Sequence, residues 1–214
     1  MKLNYTYLYP LLLLLAAIAC RGAQKQHEVR SPVAALCHID VDSVYAVVGD
    51  NFESHPSDAL QALQSLAAQK DCPQMTRQIL AQTYFNMGAI QDERLEVLDS
   101  AIYYLDKSYE LYRSIPDLLN AHNVGKYLGF LKVKSGQRED GLKQIMDALR
   151  YYKMESNEKA YHVSLRNYAK ALDEIGDTEK AIVIMKEVIS FWQEQHDEVR
   201  LSIYEKDLAD MTSK

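Results

Sequence analysis

Apolar residues recur along this chain at a helical rather than a strand period. Ala59 is followed by Leu60, Leu63 and Leu66, which stand one, four and seven positions further on. The same figure returns at Ala101 with Ile102, Leu105 and Ser108, and at Gly141 with Leu142, Ile145 and Ala148. It returns again at Ala181 with Ile182, Met185 and Val188. This spacing sets one stripe on one face of a helix, and the small leading residue lets a neighbouring helix approach closely. The copies that start at Ala101, Gly141 and Ala181 are evenly spaced, and Ala59 stands only two positions further from Ala101 than that spacing requires.

A second pattern precedes each later copy. Leu80-Ala81 and Tyr84 lead to Gly88, Leu128-Gly129 leads to Gly136, and Tyr168-Ala169 with Leu172 leads to Gly176. Each predicts a helix whose small residue stands seven positions before a glycine, which can adopt the left-handed conformation that ends a helix. The next helix's small residue follows Gly136 and Gly176 by five positions but follows Gly88 by thirteen. The extra segment from Ala89 to Ser100 is expected to lengthen the second helix of that pair. Asp197 to Lys214 reads as one more amphipathic helix, with Val199, Ile203 and Leu208 near one face.

Two helices per repeat, a glycine turn and small residues at the contacts resemble the tetratricopeptide repeat. Leu80, Ala81 and Tyr84 match its first helix, and Ala181, Met185 and Val188 its second. The run Glu174-Ile175-Gly176-Asp177-Thr178-Glu179-Lys180-Ala181-Ile182 carries the strongest likeness. The resemblance implies an all-α solenoid of about four TPR-like repeats over residues 39–196, closed by a capping helix at 197–214. The usual period is ~34 residues, so helices or joints must be longer here. The family's closing proline is largely missing.

Stacked repeats of this type line their concave side with first helices. The groove positions that the resemblance implies are Gln78, Gln82 and Phe85, then Lys126, Tyr127, Phe130 and Lys134, then Arg166, Asn167 and Lys170. That mixed basic and aromatic strip is suited to a peptide or protein segment of acidic character. Tyr204 to Met211 is similar to the segment that ends the extracytoplasmic repeat half of Bacteroidota sensor proteins. A ligand-sensing module is therefore the alternative to a protein-binding scaffold.

The N-terminus belongs to a different problem. Leu8 to Ala19 is an almost purely apolar run behind Lys2. It is shorter than the ~20 residues of a spanning helix and has the dimensions of a secretory signal core. Residues 1–19 are therefore expected to be a signal peptide, followed by a tether at 20–38. Ala16-Ala17-Ile18-Ala19-Cys20 resembles the lipobox of bacterial lipoproteins, with Ala17 where a larger aliphatic residue is usual. The resemblance implies lipidation of Cys20 and a place in the envelope of a Gram-negative bacterium, facing the periplasm. The alternative is ordinary cleavage and a secreted or soluble periplasmic protein.

Composition narrows the chemistry. A formal charge of −6 over 214 residues argues against a general nucleic-acid binder, which is normally basic. Cys37 and Cys72 can pair in an oxidising compartment or remain buried and free. There is no C-x-x-C, phosphate-binding loop, dinucleotide fingerprint, zinc-protease motif or nucleophile elbow. No cofactor or metal is expected, and no catalytic residue is assigned. His122 and His162 occupy the same place in two successive repeats, as equivalent helix-start residues. Asp92, Glu93 and Glu96 are expected on a solvated face. Tyr103-Tyr104, Tyr109, Tyr112 and Tyr151-Tyr152 are expected to pack between repeats with their hydroxyls reaching water. The expectation is a non-catalytic interaction protein.

Overall fold

The structure is a computed structural model that describes residues 39–213. The expected signal peptide, the Cys20 lipidation site and the tether lie outside the described residues. Within them the chain forms four helix pairs and a terminal helix. The helices are α1 (Val41–Asn51), α2 (Pro56–Ala67), α3 (Arg77–Glu93), α4 (Leu98–Arg113), α5 (Leu118–Lys134), α6 (Arg138–Met154), α7 (Glu158–Glu174), α8 (Thr178–Glu194) and α9 (Glu198–Thr212). No strand occurs among the described residues, and none of these helices is long and apolar enough to cross a membrane.

The helices α5, α6, α7 and α8 are equal in length, and equally short joints separate them. Their starts at Leu118, Arg138, Glu158 and Thr178 are therefore evenly spaced. Two helices and their two joints make one period of the sequence pattern. With joints this short, the excess over the usual ~34 residues resides in the helices, each longer by about one turn.

The joints close by the same backbone device. The Gln137 N–H donates to the Lys132 carbonyl at 2.8 Å, Asn157 to Tyr152 at 2.9 Å and Asp177 to Leu172 at 2.9 Å. These bonds satisfy carbonyls left open at a helix end, and they need a left-handed residue just before the donor. That residue is Gly136, Ser156 or Gly176, with φ of 90°, 53° and 90°. Capping at the other end alternates. The side chains of Asp40, Thr76, Asp117, Asn157 and Asp197 accept N–H bonds at the starts of α1, α3, α5, α7 and α9. The residues before α2, α4, α6 and α8 make no such bond. The odd-numbered helices therefore carry their own side-chain start signal, whereas of the even-numbered ones only α2 has a local one, Pro56 at its first position.

Small residues set the helix crossings, as the sequence pattern implies. Ala59, Ala101, Gly141 and Ala181 are all buried at the start of their helices. At the α5–α6 crossing two glycines meet: a Cβ on Gly129 would stand 2.6 Å from the Gly141 carbonyl oxygen. The next repeat places the buried pair Ala169 and Ala181 at these positions.

The α3–α4 repeat departs from the sequence-based alignment. Gly88 does not end a helix. It lies inside α3, where a Cβ would meet Leu105 Cγ at 2.7 Å, so it is the counterpart of Gly129. The helix runs on to Glu93, and the left-handed turn falls on Glu96, with φ of 54°. Most of the expected extra segment is therefore the last turn of α3, which is as long as α5, and its joint; one added residue lies in that joint, and the second helix is not lengthened.

A further correction concerns α9. Val199 and Ile203 are 49% and 43% exposed. The helix docks through Leu201, Tyr204 and Met211, with Leu208 partly buried beside them. The face predicted from Val199 and Ile203 is thus not the docking face. The positions corresponding to Leu165, Ala169 and Leu172 of α7 are Glu205, Ala209 and Thr212, all exposed. Where α7 receives α8, α9 presents a largely polar surface.

Candidate functional site

The odd-numbered helices line one side of the stack, with α5 packed on α7 and α7 on α9. The strip implied by the tetratricopeptide resemblance lies here, but its side chains are more heavily engaged than the sequence suggests.

Lys126 on α5 is buried, at 9% exposure. Its ammonium donates to Asn123 Oδ1 at 3.0 Å and stands 5.1 Å from the centre of the Tyr152 ring. Asn123 Oδ1 also accepts the Tyr152 hydroxyl at 2.8 Å. No carboxylate pairs with Lys126 among the described residues. Burial pushes its pKa down to about 8. An ammonium held this way costs stability.

The sign of the pH effect follows. The folded-state pKa lies below the unfolded value, so between about pH 8 and 10 the unfolded chain holds more protons and stability rises with pH. At about 1.4 kcal/mol per unit the full cost approaches about 3 kcal/mol. Above pH 10 the tyrosines oppose the trend, because burial raises the Tyr112 and Tyr152 hydroxyls above their ordinary range. Urea unfolding of the wild type is expected to show the rise from pH 8 to 10. Lys126→Met is expected to reduce it, leaving the contribution of Lys170, whose pKa burial also lowers, and to be more stable at pH 7. Identical pH profiles for the two proteins would refute this.

The neighbouring side chains engage one another. Arg166 Nε donates to Asp207 Oδ2 on α9 at 2.6 Å, and the guanidinium lies 5.0 Å from the Tyr204 ring centre. The Tyr127 hydroxyl donates to Asp92 Oδ2 at 2.5 Å. Asp92 therefore does not lie free on a solvated face as expected. Lys170 stands 4.7 Å from the Phe130 ring centre. Burial and then Arg166 lower its pKa, Asp207 and Asp92 pull it back up, and Lys134 adds to the lowering. Phe85 meets Tyr127 edge-on at 6.4 Å. The strip is thus an aromatic floor on which Asp92 and Asp207 offset part of the charge of Lys126, Lys134, Arg166 and Lys170, and it is less basic than the sequence alone implies.

Lys134 is exposed and Asn167 half-buried. Gln78 lies apart from the others, in a shallow recess with Ile115, Pro116 and Asp117 at the α4–α5 joint. Gln82 accepts the Tyr112 hydroxyl at 3.0 Å. This is the role that Asn123 plays for Tyr152, so Gln82 aligns with Asn123, and Phe85 with Lys126. The sequence-based alignment of the α3–α4 repeat is therefore offset by two helical turns. The hydroxyls of Tyr112 and Tyr152 reach these amides rather than water.

Tyr112, Tyr152 and Trp192 occupy equivalent positions in successive repeats. His122 and His162 stack on Tyr151 and Phe191 with ring centres 4.2 and 3.7 Å apart. Each histidine thus packs on the outer helix of its own repeat. Among the described residues no group of three His, Cys, Asp or Glu side chains is placed to hold a metal. Cys72, buried in the joint between α2 and α3, is disulfide-bonded.

Two crystal structures of Podosopora anserina kinesin light chain nearly identical TPR-like repeats, one a point variant, resemble this arrangement. They give TM-scores of 0.59 and 0.57 at 10% sequence identity, over 82% and 81% of this chain and 93% and 90% of theirs. No family model matches the chain, and no curated protein matches it. The structural likeness defines the fold class: an all-helical, TPR-like repeat solenoid.

Proposed function

We propose that the chain is a non-catalytic scaffold that holds a peptide or protein segment along the side lined by α3, α5, α7 and α9. We further propose that it works outside the cytoplasm, tethered to a membrane by lipid on Cys20. The TPR-like fold supports the first reading, since such solenoids commonly serve protein–protein interaction. The observation that carries it is Lys126: a buried ammonium with no carboxylate partner among the described residues, beside an aromatic floor. A group retained at a cost to stability is a candidate for recognition. The apolar run, the small residues before Cys20 and the disulfide at Cys72 support export to an oxidising compartment.

Charge reversal of Arg166 would be a poor test, because that side chain ties α7 to α9. The side chains of Lys134 and Asn167 make no hydrogen bond or ion pair among the described residues, and both border the strip. Crosslinked capture from native membranes is expected to recover a protein partner with the wild type and to lose it with Lys134→Glu/Asn167→Asp. Equal recovery would move the binding surface off this side of the stack. Recovery of no protein would favour the ligand-sensing alternative. Metabolic labelling with a fatty acid, compared with Cys20→Ala, tests the anchor.

A further inference from the structure

The outer face of α6 carries a charge pattern that complements a reversed copy of itself. Asp140, Lys143, Asp147 and Arg150 alternate in sign at spacings of three, four and three, which aligns them along one stripe of a helix. Asp140, Lys143 and Arg150 are exposed and Asp147 is half-exposed. Within the chain Arg150 reaches Asp147 at 3.0 Å, with side chains 70% and 41% exposed. A pair this open to water contributes little and is readily exchanged.

The stripe borders an open cleft of about 740 Å³ between α4 and α6, with His122 of α5 among its lining residues. Met154, 79% exposed, lies at its rim. The corresponding stripes on α4 (Ser100, Tyr103, Lys107, Glu110) and α8 (Lys180, Val183, Glu187, Ser190) lack this symmetry.

The geometry points to a second copy of this chain as the occupant of the surface, with the two α6 helices antiparallel about a two-fold axis level with Ile145. In that register Asp140 meets Arg150 of the second copy and Lys143 meets its Asp147. The two-fold axis repeats both pairs, which is the self-complementarity that an isologous interface requires. Met146, 48% exposed and next in sequence to Ile145, brings two apolar side chains together there. The interface lies on the outer side of the stack and leaves the α3–α5–α7–α9 side open. It is therefore independent of the partner proposed above.

The test uses the full chain in excess non-ionic detergent, with mass read by sedimentation. The wild type is expected to dimerise at about 0.1 mM, where weak interfaces are populated. Its dissociation constant should rise about tenfold or more as salt is raised and the pairs are screened. Lys143→Asp sets acid against acid, and Asp147→Lys sets base against base. Each variant alone is expected to be monomeric with unchanged helical circular dichroism. Mixing the two restores opposite charges at the pairs nearest the axis, so a mixed dimer should form. A monomeric wild type, a dimer that survives both substitutions, or a mixture that stays monomeric would each overturn the proposal.

Discussion

Alanine at Gly141 is expected to destabilise the chain by about 3 kcal/mol, the upper range for overpacking a well-filled site. The added methyl would collide with the Gly129 carbonyl oxygen and stand 2.7 Å from Val133 Cγ2. The obstacle is backbone on the facing helix α5, so no rotamer change relieves it and α5 and α6 must separate. Propensity alone would favour alanine over glycine inside a helix by about 1 kcal/mol, so the observed sign is diagnostic. Gly136→Ala provides the contrast. Its Cβ meets nothing within 4 Å, and only the φ of 90° opposes it, so about 1 kcal/mol is expected. Denaturation midpoints of the two variants decide the matter; equal losses would mean that the α5–α6 contact is looser than described.

Asn123→Ala is expected to cost a similar amount, about 3 kcal/mol, because each orphaned buried donor costs roughly 1–3 kcal/mol and two are stranded here. One amide oxygen accepts from both the Lys126 ammonium and the Tyr152 hydroxyl, and one of these donors is charged. The double variant Asn123→Ala/Lys126→Met should recover much of the loss, because only the hydroxyl remains unsatisfied. A double-mutant cycle on urea midpoints reads the coupling directly. Additive effects would show that Asn123 does not support Lys126.

Much of the fold is legible in the sequence because its contacts repeat. Ala101, Gly141 and Ala181 mark helix crossings, and the apolar steps after them mark the buried stripe. The α3–α4 repeat escapes this reading because its turn does not use glycine. Glu96 takes the left-handed conformation, while Gly88, the visible signal, serves a crossing instead. The local pattern cannot separate these two uses of one residue type.

The candidate strip is legible only as a set of positions. Its electrostatics depend on Asp92 and Asp207, which reach Tyr127 and Arg166 from other helices, far away in sequence. Counting charges within one helix leaves these partners out and makes the strip look basic. The roles of Asn123 and Gln82 are hidden for the same reason. Their tyrosine partners come later in the chain, on the second helix of each repeat.

The even cadence of the helix starts also fixes how this architecture can change in length. A helix turns by about 100° per residue, so losing or gaining one residue redirects every later side chain away from its neighbour. Adding or removing one whole period between equivalent joints preserves the phase. The Tyr152 position then falls where Tyr112 or Trp192 stood, and each joint inherits a matching partner. Length in the region from α5 to α9 is thus quantised, and duplication or loss of a whole repeat is the step that disturbs the fewest contacts.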